Sequence, residues 1–90
     1  MGRYYVHLDC RDATYADDEG REFATAEDAV AFGIEAARSI IAADAMSGHI
    51  DLHQVIRIVA SDQATVREVP FRDVVAFREE WTPTDKRSYI

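Results

Sequence analysis

Cysteine is nearly absent from this chain of ninety residues: Cys10 stands alone. An intrachain disulfide is therefore excluded, and the cytoplasm, a reducing compartment, is the expected location. No apolar stretch approaches the roughly 18 residues of a membrane span, and no apolar signal core follows Met1. Positive charge is also scarce. Ten basic side chains face seventeen acidic ones, for a net charge of −7, and residues 1–28 alone hold eight acids against three arginines. Such a surface repels phosphate backbones and anionic lipid, and no basic stripe or aromatic platform with arginine offsets it. Nucleic acid and membranes are thus not expected as partners, whereas a basic protein is electrostatically complementary.

Glycine is too sparse to cradle a phosphate. Gly20, Gly33 and Gly48 are far apart, and no glycine-rich turn joins a strand to a helix. No serine lies in a nucleophile-elbow context. No cofactor is implied by any motif, and no catalytic residue is assigned.

What is present is an ordinary globular mixture, 48% apolar and 30% charged. Its length suits one small domain, expected over residues 1–80 with a tail at 81–90, and a thin core. "RYYVHLDC" at 3–10 alternates with period two and reads as a strand. Tyr4, Val6, Leu8 and Cys10 form its more apolar side and are expected to face the core. Tyr5, His7 and Asp9 form the outer stripe. "RDATYADDEGRE" is an acidic loop containing Gly20, with a short returning strand near 21–24 as an option. "TAED" opens a helix with Thr25 as N-cap and Asp28 in the first turn. The helix is expected over 25–47, with Val30, Ile34, Ala37 and Ile41 as its apolar stripe and Gly48 just past its end.

"QVIRIVASD" and "TVREVPF" then read as a strand hairpin, with Pro70 near a strand end or on an edge. "RDVVAFREEW" suggests a short helix packing Val74, Val75 and Phe77 inward, with Trp81 at its end. The expected architecture is α+β: a three- or four-stranded antiparallel sheet packed on one long helix, with a short C-terminal helix.

Successive strand side chains point to opposite faces, so His7 and Asp9 share a face and Cys10 points away from both. A cysteine–histidine nucleophile pair is not expected there. "HIDLH" offers His49, Asp51 and His53 as weak metal-ligand candidates, which extended backbone would turn one way; a polar connector is the simpler reading. Asp17, Asp18 and Glu19 cluster without the alternating acids of a calcium loop, and read as a solvated acidic loop, with a weak divalent-ion site or a docking surface for a basic partner as the alternatives. Nine aromatic residues are many for a thin core, so either they cap that core or some are expected at the surface or at a subunit contact. Tyr5, His7, Asp9 and Trp81 are the candidate interface residues.

The opening Arg3-Tyr4-Tyr5, the Asp18-Glu19-Gly20 turn, the alanine-rich helix from Thr25 and the "VIRIVASD … VREVPFRDVV" hairpin resemble a family of short bacterial proteins of unknown function. That resemblance covers residues 3–76 and implies a fold, with no catalytic residues to carry over. The tyrosine-bearing strand, acidic glycine-containing loop and "TAEDAV" helix are also similar to antitoxins of the HicB type, a likeness that implies binding a small basic toxin ribonuclease. The sequence thus points to a non-catalytic interaction module that self-associates as a homodimer through its sheet or helix. An antitoxin-like binder of a basic protein, or a small-ligand or metal-dependent activity on surface histidines and aspartates, is the alternative.

Overall fold

The computed structural model describes residues 1–78. One antiparallel sheet is built from β1 (Gly2–Asp9), β2 (Thr14–Tyr15), β3 (Arg21–Phe23), β4 (Val55–Ala60) and β5 (Thr65–Pro70), with helix α1 (Ala26–Met46) between β3 and β4. The strand order is β2–β1–β4–β5, and β3 shares the outer edge of β1 with β2. The fold is α+β as expected, with five strands rather than three or four. The additions are short. Leu8 and Asp9 pair with Tyr15 and Thr14, and Gly2–Tyr4 pair with Phe23–Arg21.

Thr25 caps the helix as its sequence implies, its hydroxyl accepting the Asp28 N–H at 3.1 Å. Gly48, at φ +94°, follows the C-cap Ser47. The buried side of α1 is built from small residues, Ala29, Gly33 and Ala37, flanked by Val30 and Ile41. A Cβ at Gly33 would lie 3.0 Å from both Ile56 Cγ2 and Ile58 Cδ1, so the helix sits as close to β4 as a bare backbone allows. Around that contact Ile56, Ile58, Val69, Phe71 and Val74 form the core, with Tyr4, Val6 and Leu8 packed against it from β1. At about 1.5 Å per residue the helix is about 31 Å long, against roughly 20–26 Å for the main strands. Towards its C-terminal end Ala42, Ala45 and Met46 are exposed. No helix among the described residues is long and apolar enough to cross a membrane.

Aromatic side chains close the β3 end. Phe23 meets the edge of Tyr4 at 6.1 Å and tilts against Phe32 at 5.5 Å, while the Arg21 guanidinium lies 4.5 Å over the Phe32 ring. Pro70 ends β5, on the sheet edge, where its missing N–H costs no ladder bond.

The short C-terminal helix is a single 3-10 turn, Phe71–Asp73. Val74 is buried and Val75 half-buried as expected, but Phe77 is 68% exposed instead of packing inward. The Val74 carbonyl accepts from Arg38 Nε at 2.9 Å, so the helix side chain takes the acceptor that a continuing helical turn would need. Trp81 and the tail 81–90 lie outside the described residues.

Replacing Gly33→Leu is expected to cost about 1–3 kcal/mol despite the better helix propensity of leucine, because the added atoms meet two core isoleucines on the sheet. Thermal denaturation of the variant against Gly33→Ala measures it, and the leucine variant should melt at the lower temperature.

Candidate functional site

One helix covers one face of the sheet, and β1 and β4 carry a second set of side chains on the other. Register pairs Tyr5 with Val59, His7 with Arg57 and Asp9 with Val55. All six lie on the face away from α1, since Val6, Leu8, Ile56 and Ile58 alternate with them toward the core. The stripe Tyr5, His7, Asp9 is therefore on the open face, as the alternation in the sequence implies.

Asp9 is held within that face. Its carboxylate accepts from Arg57 Nε at 2.9 Å and Nη2 at 3.3 Å, and from the Thr14 hydroxyl at 2.8 Å. The Arg57 hydrogen bond holds the Asp9 carboxyl below the usual carboxylate value against the opposing effect of burial, with Thr14 adding to it. In turn Asp9 raises Arg57 above its ordinary value. Both side chains remain about 30% exposed, so the pair contributes about 0.5–1 kcal/mol.

The acidic loop lies against the same face, fastened by Asp17. Between the stretches of β1 paired with β2 and β3, the Val6 N–H finds no strand and donates instead to Asp17 Oδ2 at 3.1 Å. Asp17 Oδ1 accepts the Gly20 N–H at 3.0 Å, and the Asp17 N–H donates to His7 Nδ1 at 3.0 Å. One carboxylate thus stands in for the missing strand. With Nδ1 accepting, the ring proton of neutral His7 belongs on Nε2. Burial pushes the Asp17 carboxyl upward, but the backbone N–H groups of Val6, Gly20 and Glu19 together outweigh it and hold the group below its ordinary value. Gly20 is required twice over. Its φ is +71°, and a Cβ there would lie 2.8 Å from the Tyr5 ring.

Over these residues the open face forms a cleft of about 290 Å³, lined by Tyr5, His7, Asp17, Asp18, Val59 and Gln63. The Tyr5 and His7 rings are nearly parallel, 9° apart, with centroids separated by 6.4 Å. Val59 is buried beneath it, at 4% exposure. Gln63 comes from the β4–β5 turn, where it adopts φ +73° and donates its N–H to the Ala60 carbonyl.

The other candidates from the sequence sit apart from this cleft. Cys10, half-buried at the end of β1, donates its thiol to Gln54 Oε1 at 3.4 Å. Burial, helped by the nearby carboxylates of Asp51, Asp9, Asp12 and Asp44, pushes its thiol pKa up and so disfavours the nucleophilic thiolate. His49, Asp51 and His53 occupy a connector that turns at Leu52–His53. His49 lies 3.8 Å from Asp44, while Asp51 accepts the His53 N–H at 2.9 Å and faces Arg11 at 3.6 Å. Among the described residues no three His, Cys, Asp or Glu side chains converge as a metal site. Arg57, Val59 and Gln63 carry weight that the sequence reading did not give them. Arg57 had a signal, as the one charge in the apolar run "VIRIVA" opposite a strand bearing Asp9. Gln63, an ordinary turn residue, had none.

Asp17→Asn sets an amide NH₂ against one of two backbone donors and should cost about 1–2 kcal/mol near neutral pH. The sign with pH follows from the depressed folded value. The contribution of Asp17 is complete above the unfolded pKa of about 3.9 and is lost as pH falls through the lower folded value. The unmodified chain therefore loses stability on acidification below about pH 4, and the variant loses less. Denaturant midpoints from pH 7 to pH 2 measure both effects.

No curated protein matches the chain, and no solved structure matches it. A family profile does, over residues 3–72, which takes in the whole sheet, the helix and the cleft. The chain belongs to that family, a domain of unknown function (DUF6894).

Proposed function

We propose that this protein is a non-catalytic interaction module whose open sheet face docks a positively charged segment of a partner protein. The observation that carries the reading is the position of the acidic loop. Asp17 fastens it to β1, so Asp18, with Glu19 beside it in the chain, lines the cleft on an aromatic face that no second layer covers among the described residues. The net charge of −7, concentrated in residues 1–28, draws basic partners and sets the sign of the long-range field. A protonated Cys10 thiol and a His7 Nδ1 already engaged by backbone support binding over chemistry. A small basic ribonuclease of the kind bound by HicB-type antitoxins has the right charge, and the cytoplasm, where a lone thiol stays reduced, is the fitting compartment.

Self-association is a second reading, and a separate observation favours it. Two copies of the acidic border repel one another, so a homodimer through this face is disfavoured. Met46 at the end of α1, 89% exposed, and Ile50 in the connector beyond it, 44% exposed, offer an apolar contact instead. Sedimentation at rising concentration decides this reading, and a monomer throughout would remove it.

Charge reversal tests the docking face. With Asp18→Lys/Glu19→Lys as bait beside the unaltered chain, a basic protein should be retained at low salt by the latter only. Its affinity for the variant should fall roughly tenfold or more. Equal recovery on both baits, or no basic protein on either, overturns the reading.

A further inference from the structure

We infer that the cleft over Tyr5 and His7 receives the guanidinium of one arginine side chain from the partner. The inference rests on the docking reading above and narrows it to a single chemical group. Size comes first. About 290 Å³, open to one side, is at the low end of ligand pockets and suits a side chain better than a nucleotide.

Shape selects a flat group. The Tyr5 and His7 rings are stacked, 9° from parallel with centroids 6.4 Å apart, and both line the cleft, so a guanidinium seated there comes within the ~6 Å over which a ring attracts a cation. The buried Val59 offers an apolar floor for the aliphatic stem, which long basic side chains use well.

Charge selects a cation. Asp17 is spent on Val6 and Gly20, whereas the exposed Asp18 carboxylate makes no hydrogen bond or ion pair among the described residues. A carboxylate beside a flat aromatic wall fits the fork of an arginine, which pairs through two parallel N–H bonds and stacks at once. A lysine ammonium, compact and strongly hydrated, uses neither feature fully. The same carboxylates exclude phosphate and other anions.

Gln63 supplies the remaining contact. Its left-handed backbone is set by the three-residue turn between Ala60 and Ala64, whose last loop position takes that conformation and would suit glycine better. From that turn Gln63 lines the cleft, where its amide oxygen can accept a guanidinium N–H.

The test uses the full chain and three seven-residue glycine–lysine peptides that differ at one central position: arginine, lysine or citrulline. Calorimetry at low salt gives affinities, and NMR shifts report Tyr5, His7 and Gln63. The arginine peptide is expected to bind roughly fivefold more tightly than the lysine peptide, and more tightly still than the uncharged citrulline one. Asp18→Asn and Gln63→Gly should each erase the preference for arginine. Gln63→Gly should do so while raising the melting temperature, which separates lost recognition from lost folding. Equal binding of the arginine and lysine peptides, both above citrulline, overturns the guanidinium pocket and leaves the acidic docking face standing. No binding of any peptide overturns both.

Discussion

Ile58 sits beneath the helix where Gly33 leaves room for its side chain, and this close seating constrains the rest of the molecule. With Ala29 and Ala37 completing the small face of α1, the one α-helix among the described residues is committed to one side of the sheet. Among the described residues a two-layer arrangement follows, and with it a sheet face that the helix does not cover. The residues available for recognition are then whatever strand alternation places opposite the core. Tyr5, His7, Asp9, Arg57 and Val59 are there because Tyr4, Val6, Leu8, Ile56 and Ile58 are on the other side.

The open face is organised by side chain–backbone bonds rather than by packing. β2 and β3 leave a gap along β1, and the Asp17 carboxylate fills it while its own N–H sets the orientation of His7. The loop is thus part of the sheet's hydrogen bonding as well as a carrier of charge. Its acidity and its placement come from neighbouring residues in one short segment, Asp17 to Gly20, which couples the electrostatics of the surface to the integrity of the fold.

Much of the fold was legible because local signals agreed. "TAED" marked the helix start, Gly48 its end, and period-two alternation gave β1 its two faces. β2 escaped because two residues carry no periodicity. The C-terminal helix shrank to one turn because a long-range bond, from Arg38 to Val74, competes with the local pattern around Val74, Val75 and Phe77. Of the site, Tyr5, His7 and the acidic loop could be named separately. Their convergence could not, since it depends on Asp17 bonding to Val6 across eleven positions and on Gln63 arriving from a distant turn.

The sheet is guarded on one flank by β2, β3 and Asp17, and ends on the other in β5. That strand holds Val66 as an extra residue against β4, exposes Arg67 and Glu68, and closes with Pro70. Bulge, charge and proline each obstruct the addition of a further strand. Ladder-wise stacking into fibrils is therefore resisted along this margin of the sheet, even though the neighbouring face is aromatic.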